Sequence, residues 1–125
     1  MSNLYPSARE AFLTGSMSWT NDTIKASLVS SSYTYSASHS TVADLGSTVV
    51  ATSDALTAKT ATAGTADAAD VTFSASSTST IGGLVLFNES NELIAFIDSG
   101  FPISSSAGDS ISIAWDNGAN RIFTL

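Results

Sequence analysis

The sequence predicts a mainly β chain: a single β-sandwich or jelly-roll-like domain of about seven or eight strands behind one short N-terminal helix. Three observations carry this. Short apolar segments with period-two alternation recur from residue 22 to the end, separated by turn residues. Ser and Thr make up nearly a third of the residues, and Thr favours strands. Only one segment, near residues 6–15, reads as a full helix. The 125 residues suit one domain spanning 1–125, large enough to bury a core without staples.

The helix is read from "YPSAREAFLTGSMSW". Pro6 fits a first helical turn, where its missing N–H is no loss, and Gly15 can end the helix in the left-handed conformation. Leu4, Ala8 and Phe12 lie four apart on one face, although Leu4 and Tyr5 can instead pair outside the helix. Next, "DTIKASLV" alternates, with Ile24, Ala26 and Leu28 opposite Thr23, Lys25 and Ser27, the pattern of a half-buried strand. "SSSYTYSASHSTVADLGS" is the longest irregular connection, with one helical turn possible near its end. Such loops often carry function. "TVVATSDAL" is a strand, "TAGTAD" a turn, and "DVTFSA" a strand with Val71 and Phe73 inward.

The run Leu84 to Phe87 predicts a strand covered on both faces, and Gly82 and Gly83 before it mark a bulge or close packing. With the "ESNE" turn and "LIAFID" it forms a β-hairpin. "SGFPISSSAGD" is a loop with room for a short edge strand. "SISIAWDNGANRIFTL" is read as a terminal hairpin, because Asn-Gly is the strongest short hairpin signal. A two-residue loop pairs Ile113 with Ile122. A three-residue loop pairs Ile113 with Phe123 and Ile111 with Leu125, setting Arg121 beside Trp115 for a cation–π contact. Apolar matching favours the longer loop or a bulge.

Composition excludes several functions. The net charge is −7, and the four basic residues, Arg9, Lys25, Lys59 and Arg121, are scattered. Nucleic acid and anionic lipid need clustered cations, so neither is an expected partner. No apolar run spans a bilayer, and the opening "MSNLYPSARE" has no signal-peptide pattern. The absence of cysteine excludes disulfides and thiolate metal sites and fits assembly in a reducing cytoplasm.

No catalytic motif stands out. "DNGAN" offers oxygens, but an EF-hand needs a longer acidic run ending in Glu, so the turn is the better reading. His39 is the single histidine. It has no nucleophile-elbow or zinc-ligand spacing around it, and ordinary loop hydrogen bonds account for it better. Asp67 with Asp70, and Glu89 with Glu92, sit in turns rather than in a cleft. No cofactor or metal is expected, and a small hydrolase is the weakest reading. Trp19 is assigned to the core. Tyr33 and Tyr35 fit a surface anchor or the core equally well.

In order along the chain, "LYPSAREAFLTGSMSWTNDTIKASLVSSSYTYSASH", "VATSDALTAKTATAGTADAADVTFSA" and "WDNGANRIFTL" resemble a family of small tailed-phage proteins. That family opens on an aromatic-Pro-x-x-Arg/Lys-Glu-x-Phe helix and closes on a Trp-Asp-x-Gly-x-Asn-x-Ile-Phe strand. The resemblance covers nearly the whole chain. Two departures are a shorter "TSTIGGLVLFNESNE" hairpin and Thr124, where the family is usually basic. It implies a virion structural protein, with head decoration (cement) foremost, and brings no catalytic residue. Pro6, Glu10, Phe12, Trp115, Gly118 and Phe123 are its shared motif residues, read as fold determinants.

The expected role is therefore non-enzymatic: binding to the capsid exterior, bridging capsomers of the major capsid protein, and self-association as a trimer or another symmetric homo-oligomer, after assembly in the host cytoplasm. The alternative is a tail- or fibre-associated module, with carbohydrate stacking on Tyr33, Tyr35 and Trp19. Candidate contact residues are Leu4, Tyr5, Tyr33, Tyr35, His39, Phe101, Arg121 and Leu125. They come from the Ser2–Pro6 segment, the Tyr33–His39 loop, the 99–109 loop and the last strand.

Overall fold

A computed structural model describes residues 2–74, 78–98, 101–113, 115 and 122–124. The chain is mainly β, with one α-helix among the described residues, near the N-terminus, in a sandwich-like arrangement. Strand β1 (Ser2–Leu4) precedes helix α1 (Pro6–Thr14), and β2 (Ile24–Ser30) follows. A 3₁₀ segment (Val42–Thr48) leads into β3 (Val49–Thr52), β4 (Thr60–Thr62), β5 (Thr65–Asp67) and β6 (Val71–Ser74). Then come β7 (Ser79–Asn88), β8 (Leu93–Ile97), β9 (Ile103–Ser105), β10 (Ser110–Ile113) and β11 (Phe123–Thr124). The described strands outnumber the expectation because short pieces such as β1, β4 and β5, each of 3 residues, carry too few side chains to show a period.

Helix α1 is set by its ends. Pro6 opens it after Tyr5 in extended conformation, and Gly15 closes it at φ 80°. The Ser16 N–H donates to Ala11 O at 3.0 Å and the Gly15 N–H to Phe12 O at 3.4 Å, a Schellman closure that satisfies the last carbonyls. Ala8 and Ala11 form its buried side. Leu4 is not on that stripe. It pairs with Ala95 in the sheet, and the Tyr5 N–H donates to Ile94 O at 3.0 Å.

The main sheet runs β1-β8-β7-β2-β3, all antiparallel, with β9 pairing the first residues of β7. Its register puts Leu28, Leu84 and Ile97 in one row and Ala26, Leu86 and Ala95 in the next row but one, all on one face. Ser27, Val85 and Phe96 lie on the other. All residues from Leu84 to Asn88 are buried, so the apolar run is covered on both faces as expected. Ser27, expected on an open face, is buried too, and its hydroxyl meets that of Thr52 at 2.8 Å.

Asn88 shapes the β7–β8 hairpin. Its Oδ1 accepts the Ser90 N–H at 3.0 Å and the Glu92 N–H at 2.9 Å, while its Nδ2 donates to Glu92 Oε1 at 3.1 Å. The glycines ahead of the apolar run serve both predicted purposes. The β2–β7 register shifts between Val29 and Ser30, opposite them. A Cβ on Gly82 would lie 2.7 Å from Ser31 Cα, and one on Gly83 would lie 2.5 Å from the Phe96 ring.

Two small sheets complete the described residues, β10-β6 and β11-β5-β4. Their buried side chains Phe73, Ala66 and Phe123 join the main sheet's in one continuous core. Here the structure corrects the expected terminal hairpin. β10 pairs with β6, Ile111 opposite Phe73 and Ile113 opposite Val71, whereas β11 pairs with β5, Phe123 opposite Ala66. The two arms do not pair with each other among the described residues, so neither proposed register is formed. Beyond β10, the Trp115 N–H donates to Asp70 Oδ1 at 3.2 Å and its indole N–H to Ala69 O at 2.9 Å, extending the partnership with the β6 side. The "DNGAN" loop and Arg121 lie outside the described residues, and with them the calcium and cation–π readings.

Candidate interaction site: the tyrosine–histidine loop

The loop between β2 and the 3₁₀ segment is pinned at both ends. The Ser31 N–H donates to Thr80 O at 2.9 Å, the Leu93 N–H to Ser40 O at 2.9 Å, and the Val42 N–H to Asn91 O at 2.9 Å. Asp44 closes the far end by accepting the N–H groups of Ser40 at 2.8 Å and Thr41 at 3.1 Å. Those two donors, with nearby His39, hold the Asp44 carboxyl below the usual carboxylate range.

Between these pins the aromatic side chains turn inward. Tyr33 and Tyr35 are two apart and fold back over Phe96, with ring centroids 5.4 and 6.3 Å away. Tyr35 also lies 4.9 Å from the ring of Tyr5. Three polar links fasten the cluster: Tyr5 Oη to Tyr33 Oη at 2.6 Å, Tyr33 Oη to His39 Nδ1 at 2.9 Å, and the Tyr35 hydroxyl donating to Leu4 O at 3.0 Å. With Nδ1 as acceptor, Tyr5 donates to Tyr33 and Tyr33 to His39, so both phenolic protons are used.

The link to Leu4 has a second effect. Because the Tyr5 N–H bonds β8, the neighbouring Leu4 carbonyl points away from β8, at the free edge of the main sheet. The Tyr35 hydroxyl occupies that carbonyl and blunts the edge against strand addition.

The candidate contact residues therefore divide. Leu4 and Tyr5 are corrected from surface anchors to core: they are 5% and 0% exposed because β1 and the loop close over them. Tyr33, Tyr35 and His39 do come together, half-buried, with both hydroxyls and His39 Nδ1 committed inside the protein. Phe101 sits apart after β8, half-buried against the core. Arg121 and Leu125 lie outside the described residues. Phe96 also belongs to the cluster, and its one sequence signal is the alternation of "LIAFID", which separates it from Ala95. Trp19 is buried as expected. Its indole N–H donates to Asp67 O at 3.2 Å, and its ring meets Phe123 edge-on at 5.2 Å. The three aromatics named for a stacking platform thus belong to two separate groups.

No family model, curated protein or solved structure matches the chain.

Among the described residues, no group of three His, Asp or Glu side chains could hold a metal ion, and no helix is long and apolar enough to cross a membrane. Asp70 and Glu92 spend carboxylate oxygens on Trp115 and Asn88. The motif residues Phe12 and Phe123, distant in sequence, meet at 6.2 Å, in keeping with a role in the fold. Glu10 is exposed, and nothing in the structure explains its place in the motif.

Burial, then the bond to Tyr33, pushes the Tyr5 phenol far above the ordinary tyrosine range, and burial raises Tyr33. A raised phenol contributes stability that is complete below its unfolded pKa and is lost as pH climbs toward its folded value. Stability is therefore expected to fall above about pH 10. In an alkaline titration, the phenolate absorbance of Tyr5 and Tyr33 should rise together with the loss of β-sheet circular dichroism. Full ionisation of all three tyrosines with the β signal intact would contradict this.

Proposed function

We propose that this protein is a non-enzymatic structural component of a tailed-phage virion, which decorates the outer surface of the head and bridges capsomers of the major capsid protein. The phage setting rests on the ordered run of motifs, from the Tyr5–Phe12 helix to the Trp115–Phe123 close. The structural role rests on one observation: in the tyrosine–histidine loop, the Tyr33 and Tyr35 hydroxyls and His39 Nδ1 are spent on bonds to Tyr5, to Leu4 and to each other. What remains for recognition is a polar surface of low charge, which suits many shallow contacts repeated over symmetric copies. A symmetric homo-oligomer fits such a lattice.

Protein stoichiometry in purified virions, compared with isolated tails, tests this reading. A decoration protein should approach the major capsid protein in abundance and stay with heads. A few copies travelling with tails would favour the tail-module alternative, and absence from both would remove the virion reading.

A further inference from the structure

The edge of the main sheet at β1 is blunted by Tyr35, but the edge formed by β4 is not. β4 ends the β11-β5-β4 sheet, and Thr60, Ala61 and Thr62 are all exposed. It joins β5 through a tight turn, Ala63 at φ 52° and Gly64 at φ 80°, with Thr62 opposite Thr65 and Ala61 opposite Ala66. A two-residue hairpin loop makes its closing pair a hydrogen-bonded one, so the next pair, Ala61 with Ala66, is not. The Ala66 carbonyl confirms this: it faces the other way and accepts the Ile122 N–H at 3.1 Å. The Ala61 N–H and C=O therefore point outward, and among the described residues no strand pairs that edge.

We propose that β4 pairs antiparallel with β4 of a second copy of this chain, about a two-fold axis at Ala61, joining two three-stranded sheets into one. The segment Thr60-Ala61-Thr62 reads the same in both directions. Two-fold pairing makes Ala61 opposite Ala61 a hydrogen-bonded pair that uses both outward groups. It sets Thr60 opposite Thr62 of the second copy in the closer, non-hydrogen-bonded spacing, where threonine pairs interact well. Charge does not oppose the contact. Residues 60–66 carry none in a chain of net charge −7, and Lys59 falls opposite Ala63 of the second copy. Edges are usually guarded by charge, proline or a covering loop, and β4 has none of these on its own residues. The inference stands independently of the virion reading and specifies two-fold rather than three-fold association.

Sedimentation velocity of the purified full chain, over a concentration series into the high-micromolar range, should show a reversible species of twice the monomer mass. Ala61→Pro should abolish it and leave the fold unchanged, because the amide it removes makes no bond within the chain. Thr60→Lys with Thr62→Lys, both at exposed positions, should abolish it by charge repulsion and provides the test if the proline variant misfolds. The chain has no cysteine, so Ala61→Cys should give a single disulfide-linked dimer on mild oxidation. A monomer at every concentration, a three-fold species, or a dimer that survives these edge substitutions would overturn the proposal.

Discussion

Gly83→Val is expected to be among the most damaging single changes in the protein, lowering stability by about 3 kcal/mol or more. Gly83 lies in β7, the central strand of the main sheet, between Val29 of β2 and the rows of β8. An added Cβ would stand 2.5 Å from Phe96 Cε1, 2.8 Å from Phe96 Cζ and 2.9 Å from Ile97 O. The carbonyl belongs to the β8 ladder and cannot withdraw without breaking pairing. The Phe96 ring cannot swing aside freely either, because Tyr33 and Tyr35 pack on it and are themselves tied to His39 and Leu4.

Even Gly83→Ala should destabilise, although replacing glycine within a strand ordinarily gains about 0.5–1 kcal/mol. Denaturant midpoints would measure both variants. Shortening the ring with Phe96→Leu in the Gly83→Ala background should return part of the loss, with a coupling of about 1 kcal/mol. A neutral Gly83→Ala, or purely additive effects, would show that the close approach is not limiting.

That the glycines mark close packing is readable from sequence, because two of them ahead of an apolar run have few other uses. Which side chain fills the space is not. Phe96 is one strand away in space, and its approach depends on the β7–β8 register, where the ladder shifts between Leu86 and Phe87. The same division runs through the fold. Helix α1 is legible because Pro6 and Gly15 are local signals that act on their own backbone. The β7–β8 hairpin is legible because its turn and both arms are contiguous.

The C-terminal segment shows where local reasoning stops. Asn117-Gly118 between alternating segments satisfies every short-range rule for a hairpin, and alternation correctly marks Ile111, Ile113 and Phe123 as strand residues. Alternation fixes the face of a side chain, however, and not the identity of the neighbouring strand. Val71 and Phe73 offer Ile113 and Ile111 an apolar match, and Ala66 leaves room beside Phe123 for the rings of Phe12 and Trp19. Those long-range matches decide the pairing. The site follows the same logic. The spacing of Tyr33 and Tyr35 puts them on one side of the loop, but the decision between surface and core is made by Tyr5, 28 residues from Tyr33. Nothing in the spacing of residues 33–39 points to it.

Tyr5→Ala is the second large effect, expected to cost about 3–5 kcal/mol as the loss of a buried aromatic side chain. Tyr5 is 0% exposed and sits where three elements meet: β1 behind it, helix α1 ahead of it and the tyrosine loop above it. Its removal opens a cavity beneath Tyr35 and leaves Tyr33 bound only to His39. The hydroxyls can be separated from the ring by conservative changes. Tyr5→Phe keeps the volume and leaves Tyr33 its bond to His39, so the cost should stay near about 1 kcal/mol. Tyr33→Phe removes the same Tyr5–Tyr33 bond but strands the Tyr5 hydroxyl in a fully buried site, which should cost about 1–3 kcal/mol. The double variant has no stranded hydroxyl and should be more stable than Tyr33→Phe alone. That inversion, a second substitution that restores stability, is specific to a buried relay and is measurable by denaturant unfolding of four proteins. Equal and additive losses would mean that water reaches the Tyr5 hydroxyl and that the loop is fastened by ring packing alone.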